Sequence, residues 1–238
     1  MRYTRYGLMI MAAFIAAVFY GGTAQADEIY EPYGTWNGYK VYLSPARHSD
    51  AGSRGECGGN NENTMAYNTT WHAANGSYFD DVYNTTSQYR NLRSRGYRVR
   101  IGNGTLQSAI DNSNAWGASL HIPVHSNASG NTNCSTTSSG SFGTVVIYRS
   151  GSTRGQSLAT QLRDTVGVSS PGTSDYICYN PGHPCTTIDL GELRLTNAPA
   201  AYQESDFHNW NTGINWLKSN HWRWRMGWAV DVHLGYPR

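Results

Sequence analysis

The chain predicts an α/β fold, a single mixed, mostly parallel sheet flanked by helices, and three observations predict it. Short apolar alternations recur between longer stretches of helix length, the pattern of strands traded with crossover helices. Clusters of Gly, Pro, Asn and Ser punctuate these stretches, with no internal repeat. Residues 27–238 have the length of one domain with room for a sizeable core.

Residues 1–26 stand apart from that domain. Arg2 and Arg5 precede an apolar run over 8–20, and Thr23-Ala24-Gln25-Ala26 supplies a small-x-small cleavage site before Asp27. This reads as a secretory signal peptide, with a run too short to span a bilayer comfortably; the alternative is a retained amino-terminal anchor. The expectation is a secreted or cell-wall-associated monomer with no stable membrane association once the leader is removed. Without Arg2 and Arg5 the 18 basic residues become 16, against 16 acidic ones. A balance of that kind argues against nucleic acid held on a basic surface.

Residues 40–44 (KVYLS) read as the first strand, followed by a Gly-rich polar loop over 45–61. Helices are expected at 62–74 and 80–95, with Gly96 as a stop, and a strand at 97–101. A helix at 106–116 feeds a strand at 118–124. A strand follows at 144–148, a helix at 155–166, an extended segment at 189–195, a strand at 200–203, a helix at 209–218 and a helical tail at 221–232. In the tail, Trp222, Trp224 and Trp228 fall at helical spacing with Met226 and Val230, which favours helix packing over a glycan-stacking role.

The stretch LHIPVHSNA (120–128) holds two histidines four residues apart. On a helix such a pair shares a face and can grip one metal. Pro123 removes a backbone donor and clashes with a preceding helical turn, while Leu120, Ile122 and Val124 alternate, so the stretch reads as a buried strand. His125 then lies at the strand's carboxyl end, where open α/β sheets place their ligands. His121 shares its parity and reads as a packed or supporting histidine.

Four cysteines in an exported chain, with no CxxC pair, favour two disulfides over a thiolate metal site. Cys178 and Cys185 bracket a short turn-rich segment and are expected to pair locally, leaving Cys57 with Cys134. Four cysteines allow three connectivities, and the sequence leaves that choice open.

Three loops at expected strand ends carry chemistry: SPARHSDAG (44–52), with Glu62 fourteen residues beyond His48; HSNA (125–128); and APAAYQESDFHN (198–209). Two neutral imidazoles and one carboxylate, with a fourth position open to water, are a recipe for catalytic zinc. A further carboxylate can move the protons.

At these residues the chain resembles the zinc-dependent N-acetylmuramoyl-L-alanine amidases of bacterial cell-wall turnover. That family's pattern runs Asp-Pro-Gly-His, a Glu about fourteen residues later, a Ser-Ile-His-Ala-Asn strand end, then Pro-Ala-Val-Leu-Val-Glu with a Phe after it. Pro45-Ala46-Arg47-His48 and Glu62 match its first part, Ile122-Pro123-Val124-His125-Ser126-Asn127-Ala128 the second, and Pro199-Ala200-Ala201-Tyr202-Gln203-Glu204 with Phe207 the third. The match runs over roughly residues 40–220. It departs in the first loop: Ser44 stands for the acidic residue, Arg47 for the Gly before the histidine, Ser49-Asp50 for Gly-Gly, and one residue is inserted between Pro45 and His48.

The resemblance implies an amidase-like fold and a zinc hydrolase that cuts the amide between N-acetylmuramic acid and L-alanine in peptidoglycan. It implies His48, Glu62 and His125 as the zinc ligands, Glu204 as the general acid/base, and Asn127 as a residue that shapes the site. Zinc would polarise the amide carbonyl and activate the water that Glu204 deprotonates. Asp50 is the alternative oxygen ligand to His48, and Glu56 the alternative to Glu62. The rival functions are a non-catalytic peptidoglycan-binding protein on the same fold and a zinc peptidase acting on wall peptides.

Overall fold

A computed structural model describes residues 26–46, 62–76, 91–128, 142–182, 189–219 and 221–235, the stretch 221–224 by its backbone alone. The expected leader, up to residue 25, lies outside the described residues.

Seven strands form one sheet: β1 (Glu28–Tyr30), β2 (Lys40–Pro45), β3 (Arg98–Ile101), β4 (Leu120–Asn127), β5 (Val145–Arg149), β6 (Tyr176–Asn180) and β7 (Ala201–Phe207), in the order β1-β3-β2-β4-β7-β5-β6. β3, β2, β4 and β7 run parallel, β1 pairs antiparallel with β3, and β5 runs antiparallel to β7 while β6 runs parallel to β5. The sheet is therefore mixed and mostly parallel, as the alternation of elements predicts. Six α-helices are described: α1 (Glu62–Asn75), α2 (Leu106–Trp116), α3 (Thr153–Thr165), the single turn α4 (Gly191–Arg194), α5 (Asn211–Lys218) and α6 (His221–His233).

Strand parity sorts the side chains into two unlike faces. Val41, Leu43, Val99, Ile101, Leu120, Ile122, Val124, Val146 and Ala201 form the main core with residues of α1, α3, α5 and α6. The opposite face carries Tyr42 and Ser44 on β2, His121 and His125 on β4, and Tyr202 and Glu204 on β7, with α4 packed over β5 and β7. One side of β4 is thus an ordinary apolar anchor, and the other presents the chemistry.

Local signals set several ends. Thr105 caps α2 by accepting from the Ser108 amide at 3.2 Å, and Gly117 closes it in the left-handed region at φ 67°. A Cβ at Gly213 would lie 2.4 Å from the Phe207 carbonyl, so only glycine lets α5 approach the end of β7 this closely.

Two expectations need correction. Residues 189–195 were expected to be extended, but 191–194 form α4, where Leu195 N donates to Gly191 O. The turn has no apolar periodicity; tertiary contacts of the buried Glu192 and Leu193 hold it, and these override local propensity. Of the helix expected at 80–95, residues 80–90 lie outside the described residues, while Arg93–Arg95 form a 3-10 turn ended by Gly96 at φ 91°. The edge strands β1 and β6 have no counterpart among the expected elements. Cys178 on β6 is disulfide-bonded; Cys57, Cys134 and Cys185 lie outside the described residues.

β1 is only three residues long, and its neighbour Asp27 explains how so short a strand is held. The Asp27 side chain is 2% exposed and accepts from Tyr42 Oη (2.7 Å), Arg100 Nε (2.8 Å), Asn103 N (3.1 Å) and Asn112 Nδ2 (3.1 Å). Asp27→Ala is expected to destabilise the protein by about 3 kcal/mol, because it strands a mostly buried guanidinium and a buried phenol. Thermal unfolding of the variant checks this, and an unchanged midpoint contradicts it.

Candidate active site

The carboxyl ends of β2, β4 and β7 share one rim of the sheet, and the candidate residues gather there. His125 and Glu204 are register partners on adjacent parallel strands, so both side chains leave the same face side by side. Glu62 reaches the same place from the first residue of α1. Its Oε1 accepts from the Ser126 amide at 3.0 Å and lies 3.4 Å from His125 Nδ1. The Glu62 side chain is 4% exposed and that of His125 9%.

Burial pulls the His125 imidazole down, but the hydrogen bond to Glu62 and the charges of Glu204, Glu62 and Glu192 outweigh it and hold its pKa above the ordinary value. Burial pushes the Glu204 carboxyl up to about 7; His125 pulls against this and Glu62 adds to it. Glu204 as a whole is partly exposed, yet its Oε2 is buried and, among the described residues, has no hydrogen-bond partner. A carboxyl with a free oxygen and a pKa near neutrality can take and return a proton.

His48 and its alternative Asp50 lie outside the described residues, as does Glu56. Among the described residues no three His, Cys, Asp or Glu side chains are arranged to hold a metal ion. Two of the expected ligands nonetheless fit one. Donors about 2.0–2.1 Å from zinc at a tetrahedral angle lie roughly 3.4 Å apart. His125 Nδ1 and Glu62 Oε1 are separated by 3.4 Å. Asn127, expected to shape the site, accepts from the neighbouring Ala128 amide through its Oδ1 at 2.8 Å.

Three features of the site go beyond the expected residues, although His121 in the third was itself expected as a packed or supporting histidine. Tyr202 stacks on His125 with ring centroids 4.4 Å apart and planes 20° apart, fixing the imidazole's orientation. Its signal is parity, two residues before Glu204 on the same strand. Between His125 and Asn127 the pairing with β7 slips from Glu204 to Phe207, an extra residue that marks a bulge just after Glu204. Asp206 takes φ 54° there, and its carboxylate accepts from Ser170 Oγ and from the Phe207 amide. Bulges next to active sites commonly re-aim a side chain.

The third feature is a buried pair below the rim. His121 Nε2 lies 3.0 Å from Glu192 Oε1, with side-chain exposures of 0% and 1%. Tyr42 stacks on His121 at 5.1 Å, and Ser44 donates to Glu192. Burial alone would raise the Glu192 carboxyl, but His121 and Ser44 hold it below its ordinary value. His208, whose ring bonds with Ser126 Oγ at 2.9 Å, is buried on the far side of the rim.

A cavity of about 510 Å³ opens elsewhere, beyond the start of β7, lined by Arg149, Ser152, Arg154, Asn197 and Pro199 among others. It contains none of the candidate residues, so chemistry rather than cavity size locates this site.

No family model matches the chain, and no curated protein sequence does. Solved structures do match. An N-acetylmuramoyl-L-alanine amidase from Clostridium difficile 630 aligns at a TM-score of 0.59 and 18% identity, over 82% of this chain and 94% of that one. The catalytic domain of CwlV, an N-acetylmuramoyl-L-alanine amidase from Bacillus (Paenibacillus) polymyxa var. colistinus, aligns at 0.59 and 15%, over 84% and 99%. The chain has the fold of these amidases. The catalytic domain of the CD27L endolysin, which targets Clostridia difficile, shares it too, at 0.55 and 17% identity over 84% and 99%. Within the amidase fold, α1, β4 and β7 are the elements that carry Glu62, His125 and Glu204.

Proposed function

We propose that this chain is a secreted zinc hydrolase that cleaves the amide between N-acetylmuramic acid and L-alanine in peptidoglycan. One observation carries the reading: in a chain with the amidase fold, Glu204 holds a carboxylate oxygen with no hydrogen-bond partner among the described residues, beside a His125–Glu62 pair spaced as two ligands of one ion. His48 is the third ligand on this reading, since the loop after β2 starts from the same rim. Bound zinc would supply a Lewis acid and an acidified water.

The chain's own groups do the rest. Glu62 is fixed by the Ser126 amide, and His125 by the ring of Tyr202, so neither has to be ordered when metal arrives. Glu204 takes a proton from the attacking water and returns one to the departing L-alanine nitrogen. Its carboxylate is held at the end of a buried strand, which aims it without a mobile loop. No helix among the described residues is long and apolar enough to cross a membrane.

The test is digestion of defined muropeptides by the purified protein, with metal content measured on the same sample. Release of intact stem peptide with a free L-alanine amino group, with one zinc per chain, is the expected result. Cleavage inside the stem would assign a peptidase, and bound but uncut muropeptide with no zinc would assign a wall-binding protein.

A further inference from the structure

Glu192 sits where three site-bearing segments meet. Its carboxylate accepts from Ser44 at the end of β2, four residues before His48 in sequence. It also bonds His121 on β4, four residues before His125 and on the same face. Glu192 itself belongs to α4, which leads into β7 and Glu204. Buried carboxylates are expensive and are kept only when fully partnered. The pair therefore needs a reason beyond packing, since apolar side chains of similar size would fill the same place at less cost.

We propose that Glu192 is a positioning residue for the candidate site, tying β2, β4 and the approach to β7 in fixed register below the rim. The idea rests on the hydrolase reading. A tie at this depth acts on the ends of the strands, about 13 Å further along β4 at strand rise. A small change in strand register there would separate His125 from Glu62 and the β2 loop. Metal sites are sensitive to such support, and losing a supporting partner typically costs about 10–100-fold in affinity. The bonds are what matter on this account, so a neutral side chain able to keep them should substitute.

Two variants separate positioning from mere packing. The double change His121→Leu with Glu192→Leu replaces the pair by apolar side chains and is expected to keep the thermal midpoint at or above that of the unaltered protein. It is also expected to lose roughly 10–100-fold in zinc affinity and to lower kcat with KM unchanged. Glu192→Gln keeps bonds to both partners and is expected to stay within about threefold of the unaltered protein on both measures. A double variant with undiminished zinc affinity overturns the proposal, as does a Gln variant as weak as the Leu one. Should the double variant not fold, Ser44→Ala removes one tie alone, and unchanged affinity there overturns it equally.

In metal-free protein the His125 ring-proton resonances, shifted by the stacked Tyr202, provide a readout that needs neither zinc nor activity. Read at a pH where the ring is neutral in all three proteins, they should move in the double variant and stay in place in Glu192→Gln; the opposite pattern overturns the proposal. An unaltered protein that binds zinc and cuts no muropeptide would defeat the hydrolase reading, while the affinity and resonance comparisons still decide the role of Glu192.

Discussion

Glu204→Gln is expected to lower amide cleavage by about 10²–10⁴-fold, the usual worth of a positioned acid/base, while leaving zinc content unchanged. The substitution keeps the volume and removes a carboxylate whose buried oxygen has no hydrogen-bond partner among the described residues. The pH dependence should go with it. In metal-free protein burial pushes this carboxyl up to about 7, and a cation bound beside it would favour the charged form, so the rate should rise with pH along an acid limb below pH 7 and then level. Residual activity in the Gln variant should lack that limb.

The same raised pKa has an opposite effect on stability. In metal-free protein the folded state keeps the Glu204 proton up to about pH 7, whereas the unfolded chain releases it near 4.5. The folded state therefore binds more protons across that window, and stability falls as pH rises through it. Gln carries no such penalty, so above pH 7 the variant should be more stable than the unaltered protein by roughly 1–3 kcal/mol. Equal pH slopes in the two proteins would mean that burial does not raise this carboxyl.

Which parts of this site the sequence could reveal follows from where each interaction lies. His125 and Glu204 were legible because each closes a strand with a local signature, the alternation of Leu120, Ile122 and Val124 in one case and the Pro-led apolar run in the other. Glu62 was implied by the family resemblance, and the helix start there favoured it over Glu56. Glu192 was not legible. Its partners Ser44 and His121 lie 148 and 71 residues away in sequence, and only the order β2-β4-β7 brings them to it. The same holds for Tyr202, whose stacking on His125 depends on strand register. β1 escaped notice because its three residues owe their place to contacts of Asp27 rather than to any pattern of their own. The bulge after Glu204 is a matter of one residue in the pairing, and Asp206 in the left-handed region gives no sign in a sequence where Gly is the usual marker.

His125→Ala is expected to abolish stoichiometric zinc, a loss well beyond the roughly 10–100-fold that follows removal of a supporting partner. A ligand is missing outright, and Glu62, still held by the Ser126 amide, is left facing the gap. The imidazole's own protonation makes the prediction sharper. In the metal-free protein Glu62, Glu204 and Glu192 together hold the His125 proton more firmly than an ordinary histidine does, despite burial. Metal must displace that proton, so affinity should weaken on acidification, beginning at a higher pH than for an unperturbed histidine, and uptake should release a proton that buffer-dependent calorimetry can count. Any residual binding in His125→Ala should release one proton fewer and depend less on pH. Glu62→Gln tests the other half of the pair: it keeps a side chain of the same size but removes both a charged ligand and the main support of the His125 proton, so zinc should be lost while the imidazole titrates lower. A protein that held zinc equally well without His125 would place the metal away from this rim, and Glu204 would then be a buried acid with no nucleophile to serve.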